Sequence, residues 1–359
     1  MDKRVSELLL KKQYTQLSDE WFQVRKTKIS ASSAASLLIR DESTCKRYVE
    51  LYNLKDVFDY NGKCCNPYSS KLQYFLDKTR GATFTGSEAT RHGQMYESVV
   101  TDLYQIINNK TVLEFGLLTH PTFDWLAASP DGITSDGIML EIKCPYRRKI
   151  NGIPPLYYYI QVMLQLEVAN LDYCDFVEFE FVEFGSEQEW LDDITLEKKF
   201  AYKGLFIKVE KLNEQGIINP TENKYIYPNK KILMDSEQLL GWSKWTVKEL
   251  INNTKDEFKD TLKISIVYWK VGDNCNTRIE RDKEWFENVR PVFEKEFNLL
   301  KYYKKGENYK KLINVSNKVI GKNVSISFSD DEDEDKNNKE VSNNGNSNYY
   351  GILSDSDDE

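Results

Sequence analysis

The feature that most constrains the fold is a stretch near the middle of the chain, Ser129-Pro130-Asp131-Gly132, eight further residues, then Glu141-Ile142-Lys143-Cys144-Pro145. Asp-Gly after proline marks a tight turn, and the run Gly137–Lys143 has the apolar pattern of a strand. On a strand, Glu141 and Lys143 leave the same face. A hairpin between Asp131 and Glu141 brings both carboxylates and the lysine to one place. Two carboxylates beside an ammonium on rigid backbone suit a hard divalent cation such as Mg²⁺, which needs only one or two protein carboxylates and keeps several waters. Asp131 and Glu141 are the candidate metal ligands, with the backbone carbonyl of Ile142 as a third. Lys143 is placed to hold or polarise a water and to offset charge on a phosphate. With only two histidines, His92 and His120, a histidine-based acid–base mechanism is poorly supported.

The rest of the pattern predicts an α/β core. A Ser18 cap opens a helix through Lys26. Helices follow near Ser32–Leu38, Cys45–Leu54, Ser70–Lys78 and Thr90–Asn108, the last with an apolar stripe at Val99, Val100, Leu103, Ile106 and Ile107. Strands are expected at Val112–Leu118, Trp125–Ala128 and Gly137–Lys143, then a helix at Pro155–Ala169 and a strand at Tyr173–Phe184. A strand at Lys263–Val271 and a helix at Asp282–Tyr303 close the domain. Residues 185–262 show no readable chemistry.

Composition supports a globular body, with 40% hydrophobic and 13% aromatic residues. No apolar run is long enough for a membrane span, and the N-terminus lacks an apolar signal core. The six cysteines form no CxxC pair, which reads as reduced intracellular thiols and disfavours a zinc ribbon or an iron–sulfur cluster. The net charge of −8 is concentrated at the C-terminus: residues 330–359 hold eleven Asp and Glu against two Lys, leaving the remainder close to neutral. The expected organisation is one domain over 1–320, with its catalytic core at about 85–185, and a disordered acidic tail over 321–359. That tail reads as a solubilising extension, a docking segment or a competitor of DNA. Ser329, Ser354 and Ser356 lie there among acids that favour phosphorylation.

Taken alone, Glu-x-Lys is a common solvated strand pair. Its company changes the reading. Ser129–Gly132 and Glu141–Tyr146 resemble the core of the PD-(D/E)xK nucleases, and within them the phage lambda exonuclease and YqaJ-type viral recombinase branch. Trp21-x-x-x-Arg25 with Ile29-Ser30-Ala31-Ser32, Asn66-Pro67-Tyr68-x-Ser70, Gly93–Glu97 and Tyr158–Val162 resemble further motifs of that branch in the same order. Arg147-Arg148-Lys149 with Pro154 and Tyr158 is similar to versions encoded by large DNA viruses of eukaryotes. The likeness spans residues 21 to about 180, and more loosely 263–302.

That resemblance implies a restriction-endonuclease-like fold: a central mixed β-sheet flanked by helices, with a helical N-terminal segment. It implies a metal-dependent deoxyribonuclease, Mg²⁺ or Mn²⁺ being the cofactor, that degrades linear duplex DNA from a phosphorylated 5′ end. An endonuclease on the same core, or an inactive DNA-binding scaffold, is the alternative. Catalytic roles are implied for Asp131, Glu141, Lys143, Glu97 and Gln161, with Glu97 aiding at the metal. DNA or phosphate contacts are implied for Arg25, Ser32, Ser30, Ser129, Arg147 and Arg148. Each has a plainer reading: Arg25 as a surface arginine, Ser30 and Ser33 as caps, Ser129 as a turn residue, Gln161 as a satisfied core amide, and the basic run as a solvated face. Implied partners are duplex DNA ends, an annealing or single-strand-binding protein and further copies in a trimer, with no membrane. The implied place is the cytoplasm or nucleus of an infected cell.

Overall fold

The computed structural model describes residues 1–55, 57–59, 62–80, 87–193, 202–213, 215–255 and 261–317. The acidic tail and the domain boundary expected at 320 lie outside them. The N-terminal segment holds α1 (Lys3–Leu10), α2 (Asp19–Lys26), the two-residue strand β1 (Ile29–Ser30), a 3₁₀ helix over Ala31–Leu37, α3 (Glu42–Tyr52) and α4 (Lys71–Arg80). Ser18 caps α2 as its sequence predicts, its side chain accepting the Trp21 N–H. The long helix α5 (Glu88–Asn108) starts at a Ser87 cap and stops at Asn109, which takes the left-handed conformation at φ 50°.

Five short strands follow: β2 (Val112–Leu113), β3 (Leu118–Thr119), β4 (Leu126–Ala128), β5 (Gly132–Thr134) and β6 (Ile138–Lys143). Next come α6 (Leu156–Ala169), β7 (Tyr173–Phe184), α7 (Glu187–Asp192), β8 (Lys203–Lys211), β9 (Lys224–Ile226), α8 (Ser236–Asn253), β10 (Leu262–Glu280) and α9 (Lys283–Lys304). Among the described residues, a seven-stranded mixed sheet runs β2-β5-β6-β7-β10-β8-β9, and a three-stranded one runs β1-β4-β3. This is the mixed α/β architecture, central sheet and flanking helices, that the sequence predicts.

One unit positions the site. β5 and β6 form the expected hairpin, pairing Gly132 with Leu140 and Ile133 with Met139. β6 then pairs in parallel with β7, setting Glu141 beside Phe176 and Lys143 beside Glu178. A parallel pair needs a crossover, and α6 is that crossover. Twelve of its fourteen residues are buried, so this helix is apolar nearly all round, as a helix sealed between sheet and outer helices must be. Its far end is tied down by Arg281, which donates to Glu167 at 2.7 and 2.9 Å.

Two strands differ from expectation. The single run predicted at 112–118 is split, with β2 in the large sheet and β3 in the small one. The break is at Gly116, where the N-terminal segment crosses: Leu117 N–H donates to Tyr14 O at 2.8 Å and Gly116 N–H to Gln13 Oε1 at 2.9 Å. A Cβ on Gly116 would lie 2.2 Å from Tyr14 O, so the crossing requires glycine. The strand predicted to end at Val271 continues to Glu280, because a register shift between Val271 and Asn274 carries it past Gly272-Asp273. Gly116→Ala is expected to lower stability by about 1–3 kcal/mol and to expose residues 11–18 to proteolysis. Urea denaturation with limited trypsin digestion checks this; unchanged stability and protection would refute the crossing.

Candidate active site

The carboxylates and the lysine meet as the strand pattern requires. Glu141 and Lys143 are each 1% exposed, and Lys143 Nζ lies 2.8 Å from Glu141 Oε1. Burying such charges is costly unless each is paired and hydrogen-bonded. One stripe of α6 provides this. Tyr158 lies under the ammonium, 4.4 Å from ring centre to Nζ. Gln161 donates to Glu141 Oε1 and Gln165 to Oε2, both at 2.6 Å. Positions 158, 161 and 165 share one helix face. Gln165 was absent from the residues singled out in the sequence; its signal is its place one turn after Gln161 in an otherwise apolar helix.

Asp131 sits in the turn before β5 and accepts the Ile142 N–H at 2.6 Å. It opens on a cleft of about 620 Å³ walled by Gln13, Thr15 and Gln16 of the N-terminal segment and by Glu97 of α5. The protein packed around the Asp131 carboxyl, then the charges of Glu141 and Glu97, hold its pKa well above the usual aspartate range, against the pull of Lys143 and the Ile142 N–H. Glu97 is thus part of the same electrostatic site, from the cleft wall.

These residues fit a hexahydrated-type cation such as Mg²⁺: the donors are hard oxygens, and carboxylate charge exceeds the single ammonium among them. Among the described residues no three His, Cys, Asp or Glu side chains are arranged to hold a metal ion. Two hard carboxylates are the donors of a water-rich octahedral site, not of a closed tetrahedral zinc centre. All six cysteines are free thiols.

The other predicted residues divide. Arg25, 8% exposed on the last turn of α2, lies 4.5 Å over the Trp21 ring and donates to Ser32 Oγ at 2.7 Å. The Trp21 indole N–H donates to Ser129 Oγ at 3.1 Å, so one tryptophan joins the Arg25–Ser32 pair to the turn that carries Asp131. Beneath it lies Lys78, buried, donating to the carbonyls of Arg25 at 2.8 Å and Lys28 at 3.0 Å. Burial, then Arg25 and Lys304, push its pKa well below the ordinary lysine value. Sequence reading passed over Lys78, although it follows Tyr74 and Phe75 on the buried side of α4.

Ser30 is buried against Ser33, Oγ to Oγ 2.9 Å. In the basic run, Arg147 is exposed beside the Tyr146 ring, but Arg148 turns inward to Glu178, 2.5 Å away. Asn66 donates to Ser36 Oγ at 2.9 Å and Tyr68 packs edge-on against Tyr157, so that motif holds the 3₁₀ helix against α6.

A mixed sheet with Asp131 at a hairpin mouth and Glu141 and Lys143 on its inner strand, backed by a glutamine on the crossover helix, is the arrangement that the sequence's resemblance to the PD-(D/E)xK nucleases implies. Residues 20–172 match the family model of the YqaJ-like viral recombinase domain. The chain is 29% identical over 348 residues to an uncharacterized protein of Acanthamoeba polyphaga mimivirus, with 88% of this chain and 58% of that protein aligned. The chain therefore spans little more than half of that relative's length. Solved structures similar to it include the alkaline exonuclease LHK-Exo of Laribacter hongkongensis, at TM-score 0.39 and 16% identity over 85% of this chain and 99% of that one. Another is a phage related exonuclease of Haemophilus somnus 129PT, at TM-score 0.37 and 13% identity over 76% of this chain and 94% of that one. No helix among the described residues is long and apolar enough to cross a membrane.

A raised carboxyl pKa in the folded state means that ionising Asp131 opposes folding. The penalty is absent below the unfolded value of about 3.9 and grows as pH rises through the folded one. Asp131→Asn, which still accepts the Ile142 N–H, is therefore expected to raise the Tm of the metal-free protein at mildly alkaline pH by a few degrees, about 2–4 °C per kcal/mol relieved. The gain should vanish near the unfolded aspartate pKa. Differential scanning calorimetry in EDTA decides; a lowered Tm, or a gain independent of pH, would contradict this electrostatic account.

Proposed function

We propose that the protein is a divalent-metal-dependent deoxyribonuclease that degrades one strand of linear duplex DNA in the 5′-to-3′ direction, in the recombination, repair or processing of a viral genome. The observation that carries this reading is the buried Glu141–Lys143 pair on β6, with Asp131 bonded to the intervening Ile142 N–H. A structural ion pair needs no second, charge-elevated carboxyl opening on a cleft; a phosphodiesterase centre does. The match of residues 20–172 to the YqaJ-like viral recombinase domain supports the same conclusion.

Asp131 and Glu141 would hold Mg²⁺ or Mn²⁺, with the backbone carbonyl of Ile142, next after Glu141 on β6, as a third ligand. When bound, the cation supplies Lewis-acid polarisation of the phosphoryl group and of the attacking water. Lys143 orients that water for in-line attack and stabilises charge on the pentavalent phosphorus. Gln161 fixes the Glu141 carboxylate, and Glu97 adds negative charge for a second ion at the cleft wall. Arg25 and Ser32 receive the terminal 5′-phosphate through charge-assisted hydrogen bonds, and Arg147 follows the DNA backbone. Arg148, paired with Glu178, contributes by holding the segment after β6 in place.

An endonuclease on the same core is the competing reading. The linkage Arg25–Trp21–Ser129 favours end recognition, because it sets an anion-binding group at a fixed separation from the cutting turn. Time-resolved digestion of duplexes labelled at either end, with 5′-phosphate or 5′-hydroxyl and a circular control, separates the two. Mononucleotides are expected from 5′-phosphorylated linear DNA, and none from circles or in EDTA. Lys143→Ala should cost about 10²–10³ in kcat. Arg25→Ala should erase the preference for a 5′-phosphate. Cleavage of circles at the linear rate would establish the endonuclease instead.

A further inference from the structure

We propose that Gln165 is a positioning residue that sets the separation between the two metal-binding carboxylates, Asp131 and Glu141. The inference rests on the metal-site reading above and extends it to a residue that does not itself contact the cation.

The two carboxylates belong to different pieces of backbone. Glu141 stands within β6, whereas Asp131 precedes β5, and the β5–β6 ladder ends at the Gly132–Leu140 pair. The sheet therefore does not itself hold residues 131 and 141 together. Two links cross the gap. One is the Ile142 N–H to Asp131 Oδ2 at 2.6 Å. The other comes from outside the hairpin: the Gln165 amide nitrogen donates to Glu141 Oε2 at 2.6 Å and to the Ser129 carbonyl at 3.3 Å. A single NH₂ group thus bridges the inner strand and the turn two residues before Asp131. Gln161 donates to Glu141 Oε1; it is Gln165 that also reaches the turn.

The chemistry of the position supports the assignment. Gln165 is 1% exposed, between Leu164 and Leu166 of an apolar helix. Among the described residues its own carbonyl oxygen finds no hydrogen-bond partner. A buried unpaired acceptor is unfavourable, so an amide here costs packing energy that an apolar residue would save. What the amide adds is the bridge. Groups that orient metal ligands from behind influence metal affinity strongly, about 10–100-fold on removal.

Gln165→Met and Gln165→Leu remove both donors at similar volume. The full chain and its variants are titrated with MnCl₂ by isothermal calorimetry without DNA, and Tm in EDTA is recorded in parallel. Both variants are expected to stay folded with a lower Tm, because the buried Glu141 Oε2 loses a hydrogen bond, and to bind Mn²⁺ about 10–100-fold more weakly, beyond what the Tm change accounts for. At saturating Mn²⁺, kcat should remain below the parent value while KM for DNA is unchanged. Binding within about twofold of the parent, affinity lost only in proportion to Tm, or failure of both variants to fold would overturn the proposal. If the parent chain itself takes up no Mn²⁺, the metal-site reading falls and this inference falls with it; if the parent binds and cleaves while the variants match it, Gln165 alone is misassigned.

Discussion

Glu141 and Lys143 point inward from a strand inside the sheet, and everything near them follows from the cost of hiding those charges. A carboxylate and an ammonium at 1% exposure are tolerated only when hydrogen bonds and opposite charge replace the lost water. The parallel β6–β7 pairing forces a crossover, and the crossover helix is the element whose side chains meet Glu141 and Lys143, while α5 packs on Leu140 and Ile142 of the same strand. The buried face of α6 therefore has to be apolar for the core and polar at Gln161 and Gln165. Tyr158 serves both demands, packing in the core while presenting its ring to the lysine.

The second consequence is architectural. The turn that carries Asp131 is fixed by the Ile142 N–H, by Gln165 and, from the N-terminal segment, by the Trp21 indole on Ser129. Trp21 also carries Arg25 on its ring, and Lys78 and Lys304 donate to the carbonyls that end α2. Orphan carbonyls at a helix C-terminus need donors, so these two lysines tie the end of α2 to α4 and α9. The N-terminal segment, α4 and the end of α9 thus hold the cleft in shape, with Gln13, Thr15 and Gln16 forming one of its walls.

Much of this was legible in the chain. The hairpin, the shared face of Glu141 and Lys143, the strand at Tyr173–Phe184, the helix cap at Ser18 and the closing helix all follow from local rules of periodicity, turn chemistry and capping. Gln161 entered through its motif. What was hidden depended on tertiary approach. Gly116 reads as an ordinary glycine until the Tyr14 backbone is seen to cross it, and so the strand predicted at 112–118 was drawn too long. Gln165 and Lys78 sit at apolar positions, where the sequence records only a polar residue out of place and not the group it meets. Arg148 looks equivalent to Arg147 in a basic run, yet the register placing Glu178 beside Lys143 turns it inward. Ser30 and Ser32 are two residues apart, and only backbone geometry separates the one beside Arg25 from the one bonded to Ser33.

The central claim is that Asp131 and Glu141 share one divalent cation. Anomalous diffraction at the manganese edge from crystals grown with Mn²⁺ tests it directly. The account predicts a peak within coordination distance, about 2.0–2.3 Å, of a carboxylate oxygen from each residue. A saturated Mn²⁺ site elsewhere, with density between Asp131 and Glu141 empty in a crystal that cleaves DNA, would contradict it.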